Sequence, residues 1–248
     1  MDMSFGDKVV LVAGGTGGLG KSVSLAFLAE GAKTIVTYRA NAEFTELREA
    51  AGGHCGLLEG HTADVTDESA VRTLVEAIVS KHGRLDVLVN TVGGYAGGIK
   101  LWELETKIFE RMLTLNLCSG YELARAVLVP MLKQKAGSIV NVAAKAAVDH
   151  GAGATAYAAS KAAAVAMMDS LAEDLKGTGV RVNSILPSII DTETNRKAMP
   201  DADFATWPKP EDIARVVLFL ASDQAKVVHG ASVPVYGAGN QPESTFRG

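Results

Sequence analysis

Tyr157 and Lys161 stand four positions apart in an alanine-rich stretch with helical spacing. Four residues make about one helical turn, so the two side chains share a face. A free phenol ionises near pH 10 (about), too high for easy proton exchange at neutral pH. A neighbouring ammonium favours the phenolate and lowers that pKa. The pair therefore reads as a general acid/base of the kind needed beside a hydride carrier. Tyr-x-x-x-Lys is also a frequent chance pattern, so its weight depends on what else the chain holds.

A second group of residues points to a dinucleotide. Ala13-Gly14-Gly15-Thr16-Gly17-Gly18-Leu19-Gly20 follows the apolar run Val9–Ala13 and precedes a helical pattern. Glycine suits this place because the chain turns tightly and its backbone amides must approach a pyrophosphate. The next helix then points its positive end at the phosphates. The segment fits G-x-G-x-x-G through Gly15, Gly17 and Gly20, and G-x-x-x-G-x-G through Gly14, Gly18 and Gly20. Alone, either match is weak; between a strand and a helix it gains force. The next strand ends in Tyr38-Arg39, with no Asp or Glu there to hold two ribose hydroxyls. Arg39 suits a 2′-phosphate, so NADP(H) is the preferred cofactor and NAD(H) the second choice. Asp64-Val65 follows the third strand, where an Asp can accept from an adenine amino group. Asn90 ends the fourth strand and either braces its neighbours or touches the adenosine ribose.

The elements needed to position these groups are visible in the pattern. Strands are expected at Val9–Ala13, Thr34–Tyr38, Gly56–Ala63, Leu85–Val89, Ser138–Ala143, Val180–Leu186 and Ser232–Val235. Helices are expected at Leu19–Glu30, Glu43–Ala51, Asp67–His82, Lys107–Leu132, Ala156–Lys176 and Glu211–Ala221, with Asp67 as an N-cap. Strict alternation implies right-handed βαβ units. The expected fold is α/β: one Rossmann-type domain over residues 1–248, a doubly wound parallel sheet with helices on both faces. The irregular stretch 187–210 is long for a simple connection and is expected to cover a substrate.

The bulk numbers agree with a single α/β domain. The chain has 248 residues, 48% of them hydrophobic, and a net charge of −4. Such a length can bury a large core. No run approaches the roughly 20 apolar residues of a membrane span, and Met1–Lys8 does not read as a signal peptide. The charge and the lack of a Lys/Arg cluster argue against nucleic acid. The two cysteines, Cys55 and Cys118, and the five histidines have no metal spacing. A cytoplasmic protein acting on a small molecule, with no metal, is expected.

Taken together these pieces resemble the short-chain dehydrogenase/reductase family over nearly the whole chain. They occur in the family's order: Ala13-Gly14 to Gly20, Asp64-Val65, Leu88-Val89-Asn90, Asn116, Tyr157 to Lys161, and Pro187 to Thr192. The resemblance implies that Gly14, Thr16, Gly18, Leu19 and Gly20 hold the cofactor with Arg39, Asp64, Val65 and Asn90. It implies that Lys161 binds the nicotinamide ribose, that Asn116 holds a water linking Lys161 to solvent, and that Pro187, Ile190 and Thr192 anchor the carboxamide side. It also implies a homodimer or homotetramer.

Four positions depart from the family. Ala13 stands for threonine, Thr91-Val92 for Asn-Ala, and Ser188 for glycine. The fourth departure is chemical. The family's serine lies thirteen positions before the tyrosine, and here that position is Ala144. Losing one such donor costs on the order of 3 kcal/mol where an enzyme depends on it. Dihydropteridine reductases lack this serine, and three stretches resemble them: Gly93–Gly98, Ala144–Ala147, and Asp191–Trp207 in part. The implied substrate is a quinonoid dihydropterin or another C=N compound, with Ala144, Lys145, Tyr95 and Trp207 around it. Tyr95 and Trp207 could stack on a flat ring or pack their own loops. Two alternatives stand beside this reading: an ordinary ketone or aldehyde reductase, and an NADP(H)-binding regulator without catalysis.

Overall fold

β1 (Val9–Ala13) is apolar at every position because both of its faces are covered. Val9, Leu11 and Ala13 point into one core; Val10 and Val12 point into the other. β2 (Lys33–Tyr38) and β4 (Val87–Asn90) flank it, both parallel to it. β3 (Leu58–Thr62), β5 (Gly137–Val142), β6 (Val180–Pro187) and β7 (Ser232–Val235) complete a seven-stranded sheet in the order β3-β2-β1-β4-β5-β6-β7. Every pairing is parallel. The strand order reverses between β1 and β4, and a crevice opens there at the carboxyl ends of the strands. This computed structural model describes residues 5–237, so residues 1–4 and 238–248 of the expected 1–248 domain lie outside the described residues.

Two helical layers fill the faces. α1 (Gly18–Ala29), α2 (Asn41–Ala51) and α8 (Pro210–Ala221) cover one side through Val23, Phe27, Leu47, Ile213 and Val217. α3 (Glu68–His82), α5 (Ser119–Gln134) and α6 (Thr155–Asp174) cover the other through Val71, Leu74, Ile78, Leu123, Met131 and Met168. Asp67 caps α3, accepting from the Ala70 amide at 2.7 Å. That satisfies one of the orphan amides of the first turn.

Two elements differ from the expected pattern. The single helix expected from Lys107 is α4 (Thr106–Leu113) and α5, joined without a break by a five-residue π-helical turn, Thr114–Cys118. The chain also continues past Pro130 to Gln134. Proline removes one helical hydrogen bond there. The last turn is held by its tertiary contacts: Met131 is fully buried, and the Gln134 amide bonds both backbone atoms of Leu85 at 3.0 Å. The stretch expected to be irregular, 187–210, contains α7 (Glu193–Ala198), capped by the Thr192 hydroxyl accepting from the Asn195 amide.

Candidate active site

The glycine turn occupies the mouth of the crevice. Gly14 has φ +73°, a conformation that side chains disfavour. Its amide donates to Thr37 Oγ1 at 2.8 Å, and its carbonyl accepts from Gly17 N at 3.0 Å. A β-carbon on Gly20 would fall 2.1 Å from that same carbonyl oxygen, so the first turn of α1 can pass here only as glycine. One departure from the family pattern acquires a role at this point: Thr91 donates its hydroxyl to Ala13 O at 2.7 Å, with a longer contact to Gly14 O. It braces the turn from β4. Leu19 is turned into the core, so it can reach a cofactor through its backbone alone.

A cleft of about 630 Å³ runs from this turn between β2, β3 and β4, lined by Gly14, Thr16, Arg39, Asp64, Val65 and Gly93. Its size suits a small ligand. Glycines without β-carbons along one wall leave room for phosphates to approach backbone amides, so the residues present fit a dinucleotide. Arg39 is exposed and makes no ion pair among the described residues. Asp64 is held below the usual carboxylate range by hydrogen bonds from the hydroxyl and the amide of Thr66. Asn90 is buried, its amide spent on Asn141 Oδ1 at 3.2 Å and the Val92 amide at 3.1 Å. The structure therefore gives Asn90 the bracing role of the two considered. A second groove of similar size, about 690 Å³, lies between α3 and α5, but it holds neither the glycine turn nor the Tyr157 helix.

At the far end of the crevice, α6 carries Tyr157 and Lys161. Lys161 is 5% exposed and donates to Val142 O at 3.0 Å. Burial pushes its ammonium down to about 8. Tyr157 is pushed the other way. Burial raises its phenol to about 12, and the adjacent Tyr95 adds in the same direction. The expected lowering of Tyr157 by Lys161 is not what the structure shows. The ammonium is committed to the Val142 carbonyl, and desolvation dominates the phenol.

Asn116 ties this end together. It sits in the π-helical turn, where the widened helix projects its side chain into the core. Its Oδ1 accepts from Gly94 N at 2.9 Å, and its Nδ2 donates to Gly94 O at 3.1 Å and to Ser160 Oγ at 2.9 Å. Ser160 in turn donates to Tyr157 O at 2.8 Å. Asn116 and Ser160 thus fix the glycine loop of Gly93 and Gly94 against α6. Sequence reasoning missed Ser160, although its place one residue before Lys161 was available as a signal.

The substrate-side candidates divide. Tyr95 is 68% exposed at the mouth and meets the Tyr157 ring edge to face, with centroids 5.0 Å apart. Ala144 is buried, its backbone extended, at the start of a short turn through Lys145. Lys145 pairs with Asp149 at 3.1 Å and lies 5.4 Å over the Tyr236 ring. Trp207 is buried and packs on Phe204 at 5.0 Å. It takes the loop-packing role of the two considered, and its face is not open to stack on a ligand. On the 187–210 segment, Ile190 O accepts from Asn195 Nδ2 at 2.8 Å, and Pro187 ends β6 opposite Val235. Thr192 reaches back to the glycine turn: a β-carbon on Gly18 would stand 2.9 Å from its methyl group. Among the described residues no group of His, Cys, Asp or Glu is placed to hold a metal.

Known proteins resemble this chain in sequence and fold. The profile of the family described as short chain dehydrogenase matches residues 8–203. The 3-oxoacyl-(acyl-carrier-protein) reductase FabG of Thermotoga maritima is 33% identical, with 93% of this chain and 96% of that protein covered. The structure titled ElxO with NADP bound superposes with a TM-score of 0.88 at 28% identity, covering 94% of this chain and 98% of that one. An NAD+-bound xylitol dehydrogenase superposes at 0.87 with 25% identity, covering 94% and 99%.

Proposed function

The chain belongs to the short-chain dehydrogenase family and is an NAD(P)-dependent oxidoreductase, and on that premise we propose that it reduces a polarised C=N or C=O bond with NADP(H) as the preferred cofactor. The bound nicotinamide supplies the hydride. Tyr157 supplies the proton. Held near 12, its phenol keeps its proton at neutral pH, which suits donation to a reduced product. Lys161, Asn116 and Ser160 position Tyr157 and the loop opposite it. Gly14, Thr16, Gly18, Gly20, Asp64 and Val65 cradle the adenosine and phosphate end. Arg39 meets the 2′-phosphate. Pro187, Ile190 and Thr192 close over the nicotinamide end.

The observation that carries the substrate reading is Ala144. The buried position at the end of β5 offers no hydroxyl to a substrate carbonyl. A C=N acceptor of the quinonoid dihydropterin type, protonated by Tyr157, does not depend on that donor. Tyr95 and Lys145 would line its pocket from the exposed side. The second reading, an ordinary ketone or aldehyde reductase, draws on the names of the relatives, a 3-oxoacyl reductase and a xylitol dehydrogenase. A regulator without catalysis is disfavoured by the Tyr157–Lys161 pair, because cofactor sensing needs no proton donor.

The reading includes a homodimer or homotetramer in the cytoplasm. Exposed Tyr121, Val129 and Leu132 on α5 and Phe219 on α8 support the first part. Two unpaired cysteines support the second.

The test is nicotinamide oxidation followed by absorbance, with NADPH and then NADH, against freshly generated quinonoid dihydropterin and a simple diketone. Rapid pterin-dependent oxidation, lost in Tyr157→Phe, supports the C=N reading. Turnover of the diketone alone moves the assignment to a carbonyl reductase. Binding of cofactor with turnover of neither compound removes both substrate readings.

A further inference from the structure

The acid that β2 lacks at its end arrives from the helix that follows. Glu43 lies in the first turn of α2, and its Oε2 accepts from the Thr16 hydroxyl at 2.9 Å. Thr16, Arg39 and Glu43 all line the 630 Å³ cleft. Glu43 is held there by its neighbour. The Phe44 ring stacks on Tyr38 with centroids 4.8 Å apart and planes 9° apart. It also fills the space over Gly60, where a β-carbon would fall 2.4 Å from the ring. The first turn of α2 is thereby pinned to β2 and β3, and the carboxylate is aimed across the crevice at the glycine turn.

A carboxylate and a guanidinium thus flank the same end of the cleft. They favour opposite ligands. A ribose 2′-hydroxyl can donate to the carboxylate, whereas a 2′-phosphate is repelled by it and drawn to Arg39. We infer that Glu43 is a cofactor-selectivity residue, which opposes Arg39 at the adenosine ribose and keeps the site open to NAD(H) as well as NADP(H). The inference rests on the glycine turn being the dinucleotide site, as read above. Glu43 accepts from Thr16 and, with NAD(H) bound, from the ribose. With NADP(H) bound it must turn outward into solvent, which its exposed position allows. The sequence signal for this was hidden, because three residues and a helix start separate Glu43 from Arg39, where the acid usually stands.

The experiment is calorimetric binding to the full chain of NADPH, NADH, 2′,5′-ADP and 5′-AMP, with wild type, Glu43→Gln and Arg39→Ala. Unfolding midpoints are checked for each protein. Glu43→Gln is expected to tighten NADPH and 2′,5′-ADP by about tenfold and to weaken NADH and 5′-AMP by about threefold. Arg39→Ala is expected to move the same ratio the other way. A Glu43→Gln protein that keeps its fold and the wild-type ratio overturns the inference alone. Wild type that binds none of the four nucleotides overturns both the inference and the cofactor reading beneath it.

Discussion

Tyr95 presses edge to face on Tyr157, with ring centroids 5.0 Å apart and planes at 76°. One ring is exposed at the mouth of the cleft, and the other is the half-buried phenol of the site. Burial holds the Tyr157 phenol near 12, and the Tyr95 ring packed on it adds in the same direction. Replacing Tyr95 with alanine wets the phenol. Alkaline difference absorbance of the cofactor-free protein, taken against a Tyr95→Ala/Tyr157→Phe double variant, is expected to show the Tyr157 inflection move down toward 10. An inflection unmoved by Tyr95→Ala would mean that the surrounding core, and not Tyr95, sets the value.

Tyr157→Phe removes the proposed proton donor and little else. Its hydroxyl bonds no other side chain among the described residues. Turnover is expected to fall by about 10²–10⁴-fold, while NADPH affinity stays within a few-fold of wild type. Equal losses in binding and turnover would assign Tyr157 a structural part.

Lys161 carries a penalty that depends on pH. Its pKa falls from 10.5 to about 8 on folding. Between these values the unfolded chain binds more protons than the native one, so stability rises with pH through that window. Below about 8 both states are charged, and the native state carries the full cost, about 3 kcal/mol. Lys161→Met removes it. The cofactor-free variant is expected to be more stable than wild type at pH 7, less the lost bond to Val142, and to lose the advantage by pH 10.5. Denaturant midpoints across pH 7–10.5 check this. A constant difference across that range would mean that Lys161 does not titrate there.

Ala144→Ser restores a hydroxyl at the end of β5. Carbonyl reduction is expected to rise by roughly 10–100-fold in kcat/KM if the serine's usual partner atoms are in place, with little change toward a C=N acceptor. A fall in both activities would show that the buried pocket has no room for the added oxygen.

Much of this fold is legible locally. The unbroken apolar run of β1 reports burial on both faces, and the glycines after it report a turn that leaves no space for side chains. What escapes the sequence is set by tertiary contact. The helix expected to end at Leu132 runs on to Gln134, because the buried Met131 and the Gln134–Leu85 bonds hold its last turn. Trp207 reads either as a ring for a ligand or as a loop anchor, and its packing on Phe204 is what the sequence alone does not show. Tyr-x-x-x-Lys places both side chains on one helix but not the electrostatics between them, because the direction of the Lys161 ammonium depends on a carbonyl nineteen positions away on β5. Glu43 is invisible for the same reason: the stack of Phe44 on Tyr38 decides where it points.

The contact between Gly18 and Thr192 joins the beginning of the chain to the segment that precedes its last helix. A dinucleotide lying across both would clasp them from outside, as a crosslink clasps two loops, but reversibly. Occupancy would then stabilise this arrangement of the 187–210 segment, since a ligand favours by mass action the arrangement it binds.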